Sequence, residues 1–475
     1  MKLSEHIGTV HKRSVLLHLC GSTALLGAFM LVPLAVSLLF GELTYSYVFA
    51  GISGGSLLFG LSLWNAFSPR ELELIDAIVI TALVYLLFSL VGAIPFLPVK
   101  SFFDAWLEAM SGFTTTGLSV MNEAEIARTL LFYRAYTQWI GGMGIIIVSL
   151  AILLRPGKAA FKLYSAEFGE RNIMGSVEAT AKVVIRIYLG LTVIGFVAYL
   201  LAGMGPFDGL IHILTTIPTG GFSAFPTSIG HYNDPIVSLT VCLFMILGAI
   251  SFPLYYETLK GGAKVFLEDS QVRGLLVLTL SFSILFLLSF GIQFTSLVPA
   301  LFQSVTSITT TGFNTVPTAG LSEPDKLLTT VLMVIGGGTG STAGGIKVFR
   351  FLILLGFIRI TFFRTLLPRE AKVPFRFGAL KVDEREAEGV AAFFVLYLFI
   401  LISSTLGMMW LEGSLFTDTL FEIASAEGTV GLSVGLTGSS LTVGSKLILI
   451  VNMWLGRLEI IPVMVALYPA SWAGK

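Results

Sequence analysis

Apolar residues in this chain come in long blocks, separated by shorter polar connections. The blocks run approximately over 15–40, 46–67, 73–96, 130–154, 183–202, 236–256, 274–291, 327–362, 389–411 and 446–469. Nearly all reach the roughly 20 residues a helix needs to cross a bilayer core, so ten membrane spans are predicted. The first block follows the basic residues Lys2, Lys12 and Arg13. It is longer than the apolar part of a signal peptide and lacks a cleavage-like end, so it reads as a retained span. The eighth block is interrupted by Gly336, Gly337, Gly338, Gly340, Gly344 and Gly345. A helix loses about 1 kcal/mol at each glycine relative to alanine, so this span is expected to break there. Irregular backbone at membrane depth is tolerated only where it is buried in protein or lines water.

Composition agrees with that pattern. Of 475 residues, 55% are hydrophobic and 12% charged, with a mean hydropathy of +0.88. Soluble domains carry about 25% charged residues, so an ordinary soluble class is excluded. Lys+Arg and Asp+Glu both number 29, which leaves no net basic field for nucleic acid. Cys20 and Cys242 lie inside apolar blocks, without the spacing of a metal site or a disulfide framework. The glycine cluster does not match a phosphate-binding loop, because it lies inside a span and Lys347 is followed by Val348. No enzyme and no cofactor bound by this chain are therefore expected.

The basic residues fix a predicted orientation. Arg155, Lys158, Lys162, Arg171 and Lys182 lie between spans four and five, and Lys260, Lys264 and Arg273 between six and seven. Arg364, Arg369, Lys372, Arg376, Lys381 and Arg385 follow span eight, whereas 203–234, 291–325 and 412–445 contain no Lys or Arg. The first set reads as cytoplasmic and the second as external, with both termini cytoplasmic.

Each external connection holds a short amphipathic stretch and then a Thr/Gly turn. The stretches are 103–112, 208–216, 298–307 and 415–426; the turns contain Gly117, Gly221, Gly312 and Gly431, at intervals of 104, 91 and 119 residues. This is an internal repeat. It predicts an all-α polytopic membrane protein of four pseudo-repeats, each a span, a re-entrant pore loop and a span, around one central pore. Two extra N-terminal spans lie outside the repeat. The units are 1–67 for the extra spans, then 68–155, 156–262, 263–385 and 386–475 for repeats one to four. Glycine reaches positive φ, which lets a short segment point successive carbonyls inward. Four such segments around an axis would ring an alkali cation with oxygens, and amphipathic helices ending there would aim their negative dipole ends at it.

The turns, together with Gln138-Trp-Ile-Gly-Gly-Met-Gly144, Gly336-Gly-Gly-Thr-Gly-Ser-Thr-Ala-Gly-Gly-Ile-Lys347 and Gly456-Arg-Leu-Glu459, resemble the superfamily of potassium transporters that includes TrkH, KtrB and fungal Trk. The resemblance covers nearly the whole chain. The two extra spans and Gly220-Gly-Phe222 are more similar to TrkH, while Glu427-Gly-Thr-Val-Gly-Leu-Ser433 looks like KtrB. It implies potassium uptake across a bacterial inner membrane by a homodimer on a cytosolic, TrkA-like nucleotide-binding ring. It also implies a selectivity filter of Thr115, Thr116, Gly117, Thr219, Gly220, Gly221, Thr310, Thr311, Gly312, Thr429, Val430 and Gly431. Potassium would sit at Thr115, Thr116, Thr219, Gly220, Thr310, Thr311, Thr429 and Val430. A gate is implied at Gly336, Gly337, Gly338, Gly340, Gly344, Gly345 and Arg457.

Arg457 sits near the middle of the last span, where an isolated charge costs about 2.5 kcal/mol or more, so it reads as functional, as a barrier to cations or a tether for the glycine loop. Pairing with a carboxylate is the structural alternative. Lys347 reads as snorkelling to the cytoplasmic interface. Asp104, Glu108, Asp208, Glu422 and Glu427 either enrich cations at the outer mouth or serve as caps and solvated positions. His231 reads as a surface-loop residue. The rival functions are a sodium-stimulated KtrB-like subunit and, in another class, a proton-coupled carrier or intramembrane enzyme, which the lack of intramembrane His/Asp/Glu sets disfavours.

Overall fold

The computed structural model describes residues 10–65, 73–153, 177–366, 376–377, 380–381 and 384–472. The basic segments at 154–176 and 367–375, on which part of the orientation reading rests, lie outside the described residues. The fold is all-helical apart from a two-residue antiparallel pair, Arg376–Phe377 with Leu380–Lys381.

Helices α1 (Lys12–Phe29), α2 (Leu31–Leu39) and α3 (Leu43–Asn65) precede the repeats. α1 and α3 cross closely because Gly60 faces the backbone of Ala24, and Gly27 that of Leu57, where any Cβ would collide. The first repeat comprises α4 (Leu74–Gly92), α5 (Phe102–Phe113) and α6 (Arg128–Leu153); the second comprises α7 (Val177–Leu201), α8 (Pro206–Thr216), α9 (Pro235–Gly248) and α10 (Phe252–Gly261). A short α11 (Ala263–Glu268) leads to the third, made of α12 (Ser270–Phe290), α13 (Phe294–Ile308), α14 (Glu323–Ile335) and α15 (Val348–Leu366). The fourth is α16 (Glu384–Glu412), α17 (Phe416–Glu427), α18 (Val443–Arg457) and α19 (Ile461–Leu467). The four amphipathic stretches are thus the short helices α5, α8, α13 and α17. Their first turns are fixed locally: Ser101 caps α5 through Asp104, and Pro206 opens α8.

Among the described residues, five helices or helix pairs are long and apolar enough to cross a membrane, and seven count if each bent pair is one span. α3 and α6 are 23 and 26 residues long, about 35 and 39 Å at 1.5 Å per residue, which is also sufficient for a span. Leu16, Leu58, Val193, Ile284, Phe399 and Trp410 are exposed on outer helix faces, as lipid contact requires.

Two expectations need correction. Spans six and ten are not continuous: α9 and α10 meet at 91°, and α18 and α19 at 115°. No glycine cluster marks these breaks. Each falls between a glycine, Gly248 or Gly456, that meets the carbonyl of Ile217 or Glu427 at the end of α8 or α17, and a proline, Pro253 or Pro462, that opens the second helix of the pair. Span eight breaks as expected, with 336–347 forming an irregular loop between α14 and α15. The Val10 N–H donates to the Ser471 carbonyl, so residues 10 and 471 share one face of the protein.

Candidate functional site

The C-termini of α5, α8, α13 and α17 run straight into the four Thr/Gly turns. Within each turn the local structure repeats. Thr115, Thr219, Thr310 and Thr429 have φ of 51°, 54°, 53° and 50°, and Gly117, Gly221, Gly312 and Gly431 have 95°, 79°, 82° and 93°. The intervening Thr116, Gly220, Thr311 and Val430 do not. Alternating the sign of φ swings successive carbonyls to one side of the strand, where a regular extended segment would point them to opposite sides. Threonine in the left-handed region costs about 1 kcal/mol or more, so the threonines hold strained backbone at a functional position.

Each turn is clamped to its own helix. Amides of Thr116, Gly220, Thr311 and Val430 donate to the carbonyls of Ser111, Thr215, Thr306 and Ser425, at 2.9, 2.8, 3.1 and 2.8 Å. The hydroxyls of Ser111 and Ser425 also accept from the amides of Gly117 and Gly431, at 2.9 and 3.0 Å.

The turns then close on one another in a ring. A Cβ at Gly117 would overlap the carbonyl of Gly220; one at Gly221, that of Thr311; one at Gly312, that of Val430; and one at Gly431, that of Thr116. The four turns therefore surround one axis in chain order, each glycine against the next turn's carbonyl. All twelve sequence-predicted filter residues come together here.

The glycine loop of span eight touches the same ring. The Gly344 amide donates to the Thr310 hydroxyl at 2.7 Å, and a Cβ on Gly344 would strike Gly428 and the Thr429 hydroxyl. The Thr342 hydroxyl lies 2.8 and 2.9 Å from the carbonyls of Ile217 and Gly248. Gly336 and Gly345 have φ of 73° and pack on each other's backbone; the Gly338 amide donates to the Ala249 carbonyl at 2.9 Å. Gly337 is closed in by Ala343 and Ala249, and Gly340 has φ of 75° beside Ser251. Buried Arg457 reaches this loop from α18. It donates to the carbonyls of Thr342 at 2.7 Å and Gly141 at 3.3 Å. Glu459 pairs instead with Arg350, at 2.5 Å. Lys347 does not snorkel: it is buried with φ of 77°, and its ammonium turns back onto the Ala343 carbonyl. A cavity of about 230 Å³ adjoins the loop, lined by Thr339, Gly340, Lys347, Arg350 and Glu459.

The carboxylates are mostly structural. Glu108 is fully buried and holds the Arg134 Nε at 2.7 Å, with the Ser119 hydroxyl and Val120 amide. Arg134 also reaches Glu123, Ser119 and the Ser223 carbonyl, so it braces turns one and two together. Glu422 is buried and accepts from the Ser433 hydroxyl and the Thr437 amide. Asp104 pairs with Lys446 and Asp418 with Lys326, each at 2.7 Å and each across two repeats. Glu427 is also buried, so only half-buried Asp208 retains access to an outer surface. His231 is exposed and stacks on Phe225. Sequence reasoning missed the role of His212, whose Nε2 meets the Ser223 hydroxyl at 3.0 Å. The available signal was spacing: Glu108, His212, Gln303 and Glu422 each lie nine residues before a turn glycine.

A family model described as TrkH, cation transport protein, matches residues 47–472. The chain belongs to the TrkH family. The Trk system potassium uptake protein TrkH of Vibrio parahaemolyticus is 32% identical over 483 residues, covering 94% of this chain and 97% of that protein. An uncharacterized cation transporter of Methanocaldococcus jannaschii is 33% identical over 461 residues, covering 95% and 94%. The crystal structure of the potassium transporter TrkH from V. parahaemolyticus superposes with a TM-score of 0.87 at 30% identity, over 98% of this chain and all of that one. This TrkH-family chain is accordingly a multi-pass membrane transport protein, and the axis enclosed by the turns is its candidate ion path. Among the described residues no cluster of three or more His, Cys, Asp or Glu side chains could hold a metal.

Proposed function

We propose that this TrkH-family chain takes up potassium through the axis enclosed by its four turns. The observation that carries the reading is the closed ring in which each turn glycine abuts the next turn's carbonyl. Such a ring replaces the hydration shell of an alkali cation. The carbonyls and hydroxyls of Thr115, Thr116, Thr219, Gly220, Thr310, Thr311, Thr429 and Val430 supply the oxygens. Four helix C-termini add negative potential at the same place. One ring residue per turn in the intermediate position, and only one glycine after it, make fewer ideal sites than a tetrameric channel, so selectivity is moderate.

The 336–347 loop is the gate. Its contact with Thr310 and Thr429 obstructs the path at the threonine end of the ring, and Arg457 holds it there. A membrane potential of 100 mV supplies about 2.3 kcal/mol per monovalent cation, or roughly 50-fold accumulation, so passive permeation is sufficient. The protein works as a homodimer in the cytoplasmic membrane, with both termini cytoplasmic, on a TrkA-like nucleotide-binding ring. The shared face of residues 10 and 471 supports an even number of crossings.

Complementation of a potassium-uptake-deficient strain, with and without a TrkA-like subunit, tests the reading. Growth at limiting potassium that needs the chain supports it, and failure with every regulator despite normal membrane insertion refutes it. Uptake that requires external sodium favours the KtrB-like alternative, and proteoliposome exchange locked to protons favours a carrier.

A further inference from the structure

The third helix of each repeat, α6, α9, α14 or α18, carries a buried residue three positions before a glycine within or just after that helix. Counting back from Gly141, Gly248, Gly336 and Gly456 gives Gln138, Met245, Met333 and Met453, all fully buried. Three of the four are methionine. The exception, Gln138, spans the second turn: its Nε2 donates to the Gly220 carbonyl at 2.6 Å, and its Oε1 accepts from the Phe222 amide at 3.1 Å. These two partners fix the amide's orientation, since the reverse would set N–H against N–H.

The turns contain a matching exception. Where turns one, three and four have the side chains of Thr116, Thr311 and Val430, turn two has Gly220, and a Cβ there would overlap the Gln138 amide. The missing side chain makes room for the glutamine. Gly220 also supplies one of the four carbonyls of the ring, with Thr116, Thr311 and Val430. Among the described residues, only the Gly220 carbonyl of these four accepts a protein hydrogen bond.

We propose that Gln138 is a specificity-determining positioning residue, which makes the carbonyl ring unequal by taking part of the Gly220 oxygen for itself. This rests on the reading of the ring as an ion filter. Three oxygens are free to turn fully to a cation, while the fourth is held by an amide and shares its lone pairs. The number and field strength of carbonyl ligands govern discrimination between potassium and sodium. A cation content with fewer ligands loses less at such a ring, so Gln138 lowers the preference for potassium.

The test exchanges the pair for the one used elsewhere in the ring. Gln138→Met with Gly220→Thr recreates the combination of methionine and threonine, and the potassium-to-sodium permeability ratio is read from reversal potentials of the full-length protein in proteoliposomes. The expected result is a ratio raised about threefold or more, with flux retained. Gly220→Thr alone overlaps Gln138 and is expected to assemble poorly. If the double variant also fails to assemble, Gln138→Met, which introduces no overlap, carries the test by the same criterion. An unchanged ratio in the assembled variant, or complete loss of flux, overturns the proposal. Gly312→Ser run in parallel separates the two readings. If it alters selectivity while the exchange does not, the role of Gln138 falls by itself; if neither alters it, the filter reading falls with it.

Discussion

Arg457→Ala should raise potassium flux. Arg457 is buried and gives the 336–347 loop, the proposed gate, a charge-assisted hydrogen bond of 2.7 Å at the Thr342 carbonyl. Its second bond, 3.3 Å to the Gly141 carbonyl, matters less, because the Tyr85 hydroxyl also donates there at 3.0 Å. Among the described residues, no other donor serves the Thr342 carbonyl. A bond from a charged donor contributes about 1.5 to 3 kcal/mol. Loss of about 2 kcal/mol from the closed arrangement alone shifts the open-to-closed ratio by about 30-fold, which bounds the gain in flux when the loop is mostly closed. The Thr342 hydroxyl still holds the loop to Ile217 and Gly248, so the gate should be loosened without being removed. Rubidium-86 uptake into proteoliposomes, normalised to the amount of inserted protein, measures the effect. Arg457→Lys divides the causes. Lysine keeps the charge but lacks the planar fork that reaches two carbonyls at once. Flux at the parental level in the lysine variant makes charge repulsion sufficient, and flux like that of the alanine variant makes tethering the cause. Parental or abolished flux in Arg457→Ala, with normal assembly, refutes the reasoning.

Gly312→Ser should lower the potassium-to-sodium permeability ratio, because its φ of 82° strains a side chain and the new Cβ meets the Val430 carbonyl; an unchanged ratio at normal expression removes turn three from the filter. Deleting a few residues within 338–344 should raise flux while leaving that ratio near the parental value, since the loop bonds the Thr310 hydroxyl and the carbonyls of Ile217 and Gly248 but none of the ring carbonyls of Thr116, Gly220, Thr311 and Val430; flux at the parental level in an assembled deletion refutes the gate. Lys446→Met should destabilise the protein by about 3 kcal/mol, because it leaves Asp104 buried without its 2.7 Å partner across the repeats. A thermal-shift assay in detergent checks this, and Lys446→Met with Asp104→Asn should recover much of the loss.

The apolar blocks and the repeated Thr/Gly turns were legible in the sequence because each depends on local chemistry. A stretch of some 20 apolar residues cannot rest in water, and the turn glycines adopt positive φ within their own repeat. The break at 336–347 was legible for the same reason, as glycine weakens a helix wherever it is placed. The breaks after Gly248 and Gly456 carry only Pro253 and Pro462 as local signals, and the sharp bends of 91° and 115° are set by how the two helices of each pair pack in space. The fate of the charges was also decided in space. Lys347 finds the Ala343 carbonyl, and Glu108, Asp104 and Asp418 find Arg134, Lys446 and Lys326, with the last two pairs crossing repeats. A buried charge takes whichever partner the packing brings within reach, and the sequence names the candidates without ranking them. By itself, then, the sequence determined four similar units and the backbone freedom each turn requires. Only the tertiary structure decided that the turns close in chain order, and that Gln138 of one unit fits the gap at Gly220 of the next, because such contacts between units depend on their relative placement around the axis.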